Sequence, residues 1–325
     1  MTTLARRARA AAAIAVAAWL AACTRGPADA AELAGFRALR GRLVSSDTGA
    51  ARPRGRYAQQ RVRLGSSDGL AATGWVIHPV PDRGPYPAVL LQDGREENAD
   101  VVTRLPAEFG DVVVLALDYP AEIPYTVSLH DALWHGGRLR AAGRRIPALF
   151  SLGAAYLARR ADVDSGRIAI AATSFAVPFA TIAAATDQRF HDVALIYGAG
   201  DLPAVVAANL DLRPRWLRGP AAWLATRPIA ELSPERFIAA IAPRPIVMVN
   251  GIDDPQMPAE AVRRLYDAAR EPKKQIWLRT GHLMPTDSAL IRALIDTAFA
   301  EVPVLRGARG RTAATVSTGA PASPR

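Results

Sequence analysis

Ser174, Asp254 and His282 follow one another along the chain, each just past a short apolar run. A serine hydroxyl is a weak nucleophile until a neighbouring base takes its proton. Neutral imidazole is well poised to do this near pH 7. A carboxylate on the far ring nitrogen would fix the tautomer and stabilise the imidazolium that forms. Ser174 sits in Ala172-Thr173-Ser174-Phe175-Ala176, between an apolar run at 167–171 and a helical stretch at 175–185. A sharp strand-to-helix turn would expose its Oγ, and such a turn demands small residues two before and two after the serine. Alanine meets that demand with less backbone freedom than glycine. The same position equally suits a serine that caps a helix.

The acid follows the run at 245–250, in Gly251-Ile252-Asp253-Asp254-Pro255. Either aspartate could face the site, and an Asp-rich turn ahead of a helix near Glu260 is the structural alternative. His282 ends Arg279-Thr280-Gly281-His282, after the run at 275–278. The other histidines read as structural: His78 adjoins Pro79, His130 falls in an expected loop, His135 adjoins Trp134 and His191 opens a strand. No spacing of His, Cys and acid stands out as metal-binding, and no glycine loop is built for phosphate, so no metal and no cofactor are expected.

The elements that must position these residues alternate. Segments 60–64 and 70–78 flank Gly65-Ser66-Ser67-Asp68-Gly69, which is hairpin chemistry. Apolar runs follow at 88–91, 112–117, 167–171, 193–197, 245–250 and 275–278, with helical spacing at 146–160, 175–185, 259–269 and 288–299. Short apolar strands between amphipathic helices predict an α/β fold, a mostly parallel sheet covered on both faces. Such sheets bind ligands at the carboxyl ends of their strands. A tetrahedral oxyanion there needs two backbone donors. One is expected from Phe175, the other from the loop Gln92-Asp93-Gly94-Arg95-Glu96.

Ser, Asp and His in this order at strand ends resemble the α/β-hydrolase superfamily, more closely its dienelactone-hydrolase-like and acetyl-esterase-like branches, across residues 60–300. Ala242-Pro243-Arg244-Pro245 and Arg263-Arg264-Leu265-Tyr266 add to the resemblance. It implies the α/β-hydrolase fold, a serine hydrolase acting on a carboxylic ester through an acyl-enzyme on Ser174, and Asp254 as the acid because it lies three residues after Gly251. Gln92-Asp93 resembles the Gln-Glu of the dienelactone branch, which implies Gly94 as the second oxyanion donor, with Arg95 next. The chain departs from the family where alanines replace the elbow glycines and where His-Gly is missing from the oxyanion loop. A peptidase or thioesterase on the same triad, and a non-catalytic binding scaffold, therefore stand as alternatives.

Residues 201–240 are longer than a turn requires and carry Trp216 and Trp223 among arginines. They read as a small lid over the cleft, or as an ordinary packing helix pair. Tyr119, Trp134 and Met284 are further candidates to line a pocket for a small or medium ester.

Half of the 325 residues are hydrophobic, enough for one domain over 58–305. The net charge of +10 is almost all arginine, scattered along the chain, so no nucleic-acid partner is expected, and no protein partner either. Residues 1–22 carry a basic start and a short apolar stretch, as an export signal does. Leu20-Ala21-Ala22-Cys23 resembles the lipobox of bacterial lipoproteins, which implies a lipid on Cys23 and a membrane-anchored place in the cell envelope. Cleavage after Ala28-Asp29-Ala30 is the alternative and would leave a soluble exported protein. Cys23 is the only cysteine, so no intrachain disulfide can form. Residues 23–57 read as a tether with a short helix at 32–39, and 306–325 as a disordered tail.

Overall fold

The computed structural model describes residues 26–80, 83–94, 98–104, 109–123, 129–283, 287–306 and 308. The expected signal segment, Cys23, Arg95, Met284 and nearly all of the tail lie outside these. Ten strands form one sheet: β1 (Leu43–Thr48), β2 (Arg52–Arg54), β3 (Tyr57–Ser66), β4 (Ala71–Pro79), β5 (Tyr86–Gln92), β6 (Val113–Leu117), β7 (Val163–Thr173), β8 (Asp192–Ile196), β9 (Ile246–Gly251) and β10 (Lys273–Leu278). Their order is β1-β3-β4-β6-β5-β7-β8-β9-β10, with β2 beside β3. The strands from β6 to β10 run parallel, while β1, β3 and β4 are antiparallel at one edge. This is the α/β-hydrolase fold. The apolar runs are strands because both faces are covered, as the wholly buried β6, β8 and β9 show.

Nine helices are present among the described residues: α1 (Ala30–Ala38), α2 (Val101–Arg104), α3 (Leu129–Trp134), α4 (Gly136–Leu157), α5 (Val177–Thr186), α6 (Leu202–Asn209), α7 (Arg218–Thr226), α8 (Ala259–Ala268) and α9 (Ser288–Glu301). The helix expected at 146–160 starts ten residues earlier, although Pro147 lies inside it. A Cβ at Gly153 would lie 3.0–3.2 Å from Leu117, Leu115 and Leu90, so glycine lets α4 approach the sheet closely. Among the described residues, no helix is long and apolar enough to cross a membrane.

The described part of the expected tether is folded. α1 opens with a capping box in which the Glu32 N–H donates to Asp29 (2.8 Å) and the Asp29 N–H to Glu32 (3.3 Å). β1 and β2 then extend the sheet. The α1 segment is held from far along the chain. Arg236, almost wholly buried, donates to both Glu32 oxygens (2.6 and 2.8 Å) and to the Gly26 carbonyl (3.0 Å). Phe36 meets Phe237 edge-on at 5.3 Å. These long-range partners leave no periodic signal in a stretch whose strands expose nearly every residue.

Candidate active site

β7 ends at Thr173, and the chain turns through one 3-10 turn, Ser174–Ala176, into α5. Ser174 takes φ +49°, a left-handed conformation that costs a non-glycine residue of order 1–3 kcal/mol. The sharp turn thus forms without glycines. Ala172 and Ala176, both fully buried, occupy its two crowded positions. Ser174 does not cap α5 with its side chain; the turn is closed by the Val177 N–H donating to the Ser174 carbonyl.

Beyond β9, the Asp254 side chain is wholly buried and Asp253 is exposed. Asp254 Oδ1 accepts from the N–H groups of Gln256 (2.8 Å) and Met257 (3.2 Å), and Oδ2 lies 2.7 Å from His282 Nδ1. Both carboxylate oxygens are therefore satisfied, which a buried charge requires. α8 begins without an Asp254 cap. With Asp254 accepting at Nδ1, the proton belongs there, and Nε2 turns its lone pair to Ser174 Oγ at 3.3 Å. Before substrate binds, such hydrogen bonds are often this long.

Two features hold the histidine loop that the sequence reading left unexplained. A Cβ on Gly251 would stand 2.5 Å from the Thr280 carbonyl oxygen and 3.0 Å from that of Gly281. Glycine at the end of β9 is what lets the loop before His282 lie across it. Tyr197, fully buried after β8 at φ +51°, places its ring 5.1 Å from the His282 ring, and its hydroxyl is 2.8 Å from Thr280 Oγ1. Burial pushes its phenol above the ordinary value of 10.0, and the Asp254 charge adds to this, so it stays neutral beside the imidazole. Ring proximity across 85 residues of chain has no local signature.

The loop after β5 is held from two sides. Gln92 is buried, and its amide pairs with the Leu117 backbone, donating to the carbonyl (3.2 Å) and accepting from the N–H (2.9 Å). Gln92 therefore splices the ends of β5 and β6. Tyr119 donates to the Asp93 carbonyl at 2.7 Å, and its ring meets Phe175 edge-on at 5.5 Å. One side chain thus touches both segments expected to supply oxyanion donors, next to Gly94 and at Phe175. Gly94 itself has open space where a Cβ would stand.

A pocket of about 40 Å³ adjoins these groups, lined by Leu91, Asp93, Thr173 and Leu283 with Ile291 and Ile295 of α9 among others. Tyr119, Trp134, Trp216 and Trp223 are not among its walls. Trp134 and Trp216 are instead 71% and 73% exposed, and Trp223 carries the Arg227 guanidinium 4.7 Å from its ring. The expected lid divides. Residues 202–226 carry the largely part-buried pair α6 and α7, whereas Leu232, Phe237 and Ile238 are core. Glu231 anchors that core half to α4, accepting from Arg140 (2.7 and 2.8 Å) and Arg144 (2.8 Å). The hydrogen bonds from Arg140 hold its carboxyl below the ordinary value of 4.5. The histidines read as structural include two, His130 and His135, that α3 brings against Asp131.

No protein-family model and no curated protein matches this chain. Solved structures do. An acetyl xylan esterase from Paenibacillus sp. R4 superposes with a TM-score of 0.62 at 16% identity, covering 82% of this chain and 93% of that one. Acetyl xylan esterase 1 from Thermoanaerobacterium sp. gives 0.61 at 14% identity, over 83% and 94%. A cold-adapted esterase from an Arctic intertidal metagenomic library gives 0.52 at 15% identity, over 78% and 99%. At such identities the likeness is one of fold.

Proposed function

We propose that this chain is a serine-dependent carboxylic ester hydrolase. The observation that carries the reading is the continuous relay from Ser174 Oγ through His282 to Asp254, at a serine held in a left-handed turn. Ser174 Oγ attacks the ester carbonyl while His282 Nε2 takes its proton. Asp254 stabilises the imidazolium, and the N–H groups of Gly94 and Phe175 receive the oxyanion. His282 returns the proton to the leaving alcohol, and an acyl group remains on Ser174. Water, deprotonated by His282, then releases the acid. That proteins of similar fold are esterases supports an ester over a peptide. The adjoining pocket, walled by Leu91, Leu283, Ile291 and Ile295, offers an apolar surface suited to the acyl group of an ester.

The test is labelling by a fluorophosphonate and turnover of a short chromogenic ester. Parent protein should do both; Ser174→Ala and His282→Ala should retain the fold and do neither. A folded parent that is not labelled sinks the reading in favour of a binding scaffold. Labelling without ester turnover moves it to a peptidase or thioesterase. We further propose that the chain is exported and lipid-anchored through Cys23, on the lipobox resemblance.

A further inference from the structure

We propose that His130, Asp131 and His135 form a site for a borderline transition-metal ion, Zn²⁺ above all. His130 and Asp131 lie in the first turn of α3 and His135 caps the start of α4, with ligand atoms all within 4.8 Å of one another. Asp131 Oδ1 stands 3.5 Å from His135 Nδ1 and 4.0 Å from His130 Nδ1. Bonds of about 2.0–2.1 Å in tetrahedral geometry set neighbouring ligand atoms roughly 3.3–3.4 Å apart. The His135–Asp131 pair already meets that spacing. His130 has only to swing inward from its stack on Trp134, and its imidazole is 69% exposed. Two imidazoles and one carboxylate suit Zn²⁺, Cu²⁺ or Ni²⁺ and leave a coordination position for water. Ca²⁺ and Mg²⁺ demand all-oxygen shells and should not bind.

The site has a structural consequence. His135 is the residue between the two helices. α3 packs against α7, and Gly136 lies against Pro228, so an ion here would tie α3 to the start of α4 beside the α6–α7 pair. None of the three residues belongs to the relay at Ser174, and the proposal stands or falls apart from the esterase reading. Trp134 supplies a readout, since its ring stacks on His130 at 5.3 Å and 5°.

The experiment titrates Zn²⁺ into the untagged full chain by calorimetry, and Cu²⁺ with tryptophan fluorescence as the signal. One Zn²⁺ should bind per chain and raise Tm, and Cu²⁺ should quench emission. Loss of an outer-shell partner typically weakens metal binding about 10–100-fold, so removing a ligand in His130→Ala or His135→Ala should weaken it at least tenfold. Trp134→Phe should keep the Zn²⁺ heat and lose most of the Cu²⁺ quenching. No saturable Zn²⁺ binding by folded parent overturns the proposal. So does equal binding by the His130→Ala/His135→Ala double variant, or equal binding of Mg²⁺. Ester turnover of the metal-free alanine variants should match the metal-free parent.

Discussion

Asp253 and Asp254 are adjacent, chemically identical and both just past β9, yet only Asp254 is built into the site. Its side chain is sealed from water, with one oxygen on the Gln256 and Met257 amides and the other on His282, while Asp253 faces solvent. Asp254→Asn keeps the shape but removes the charge and favours the wrong imidazole tautomer. It should lower kcat by about 10⁴-fold. Asp253→Asn, a surface change, should alter stability by less than about 0.5 kcal/mol and leave ester turnover near parent. Side-by-side kinetics on one ester decide between them, and equal losses would unseat Asp254. Tyr119 makes a related point. Expected to line a pocket, it braces the loop of Gly94 and the ring of Phe175.

The catalytic geometry proposed here rests on loops that must lie close against strand ends. Gly251→Ala would set a methyl against the Thr280 carbonyl, and the segment before His282 would have to lift. A misplacement of about 1 Å can cost 10²-fold in rate, so kcat should fall by roughly that factor in a protein that still unfolds cooperatively. Unchanged turnover would mean the loop absorbs the methyl. Further out, Glu231 ties the region after the cap to α4. Its carboxyl titrates below 4.5 because Arg140 and Arg144 stabilise the charged form. A depressed acid contributes stability that is complete above its unfolded pKa and is lost as pH falls through the folded one. Between pH 5 and 3, Tm of the parent should therefore fall more steeply than that of Glu231→Gln. Parallel curves would show that the arginines do not act through this charge.

At the scale of the whole molecule, the first described residues are fixed to a segment more than 200 residues further along. The Ala28 N–H donates to the Arg236 carbonyl at 2.7 Å, and Gly26 is already bonded to the Arg236 side chain. Only three residue steps separate Cys23 from Gly26, at most about 11 Å of chain. A lipid on Cys23 would thus hold the domain directly against the bilayer rather than on a long tether. Cleavage after Ala30 would remove Asp29 and the α1 capping box, which argues for a mature start upstream of it. Parent expressed in a bacterial host should fractionate with membranes and show an acylated N-terminal peptide by mass spectrometry, and Cys23→Ser should be released. Parent found free of membranes with a start at Ala31 would overturn the anchor.

What the sequence determined by itself is what depends on neighbours along the chain. The apolar runs announced the parallel strands, and small residues around Ser174 announced a tight turn even without glycine. The order Ser, Asp, His pointed to one end of one sheet. What only the tertiary structure decided is what depends on partners far apart in sequence. It selected Asp254 over Asp253 by burial and turned residues 43–54 from an expected tether into two strands of the domain. It also set Tyr197 beneath the imidazole and left Trp134 and Trp216 in solvent. Local backbone preference acts over a few residues and is written in their types. Burial and ring or ion contacts across 80 to 200 residues are set by how the helices pack on the sheet, and no local pattern records them.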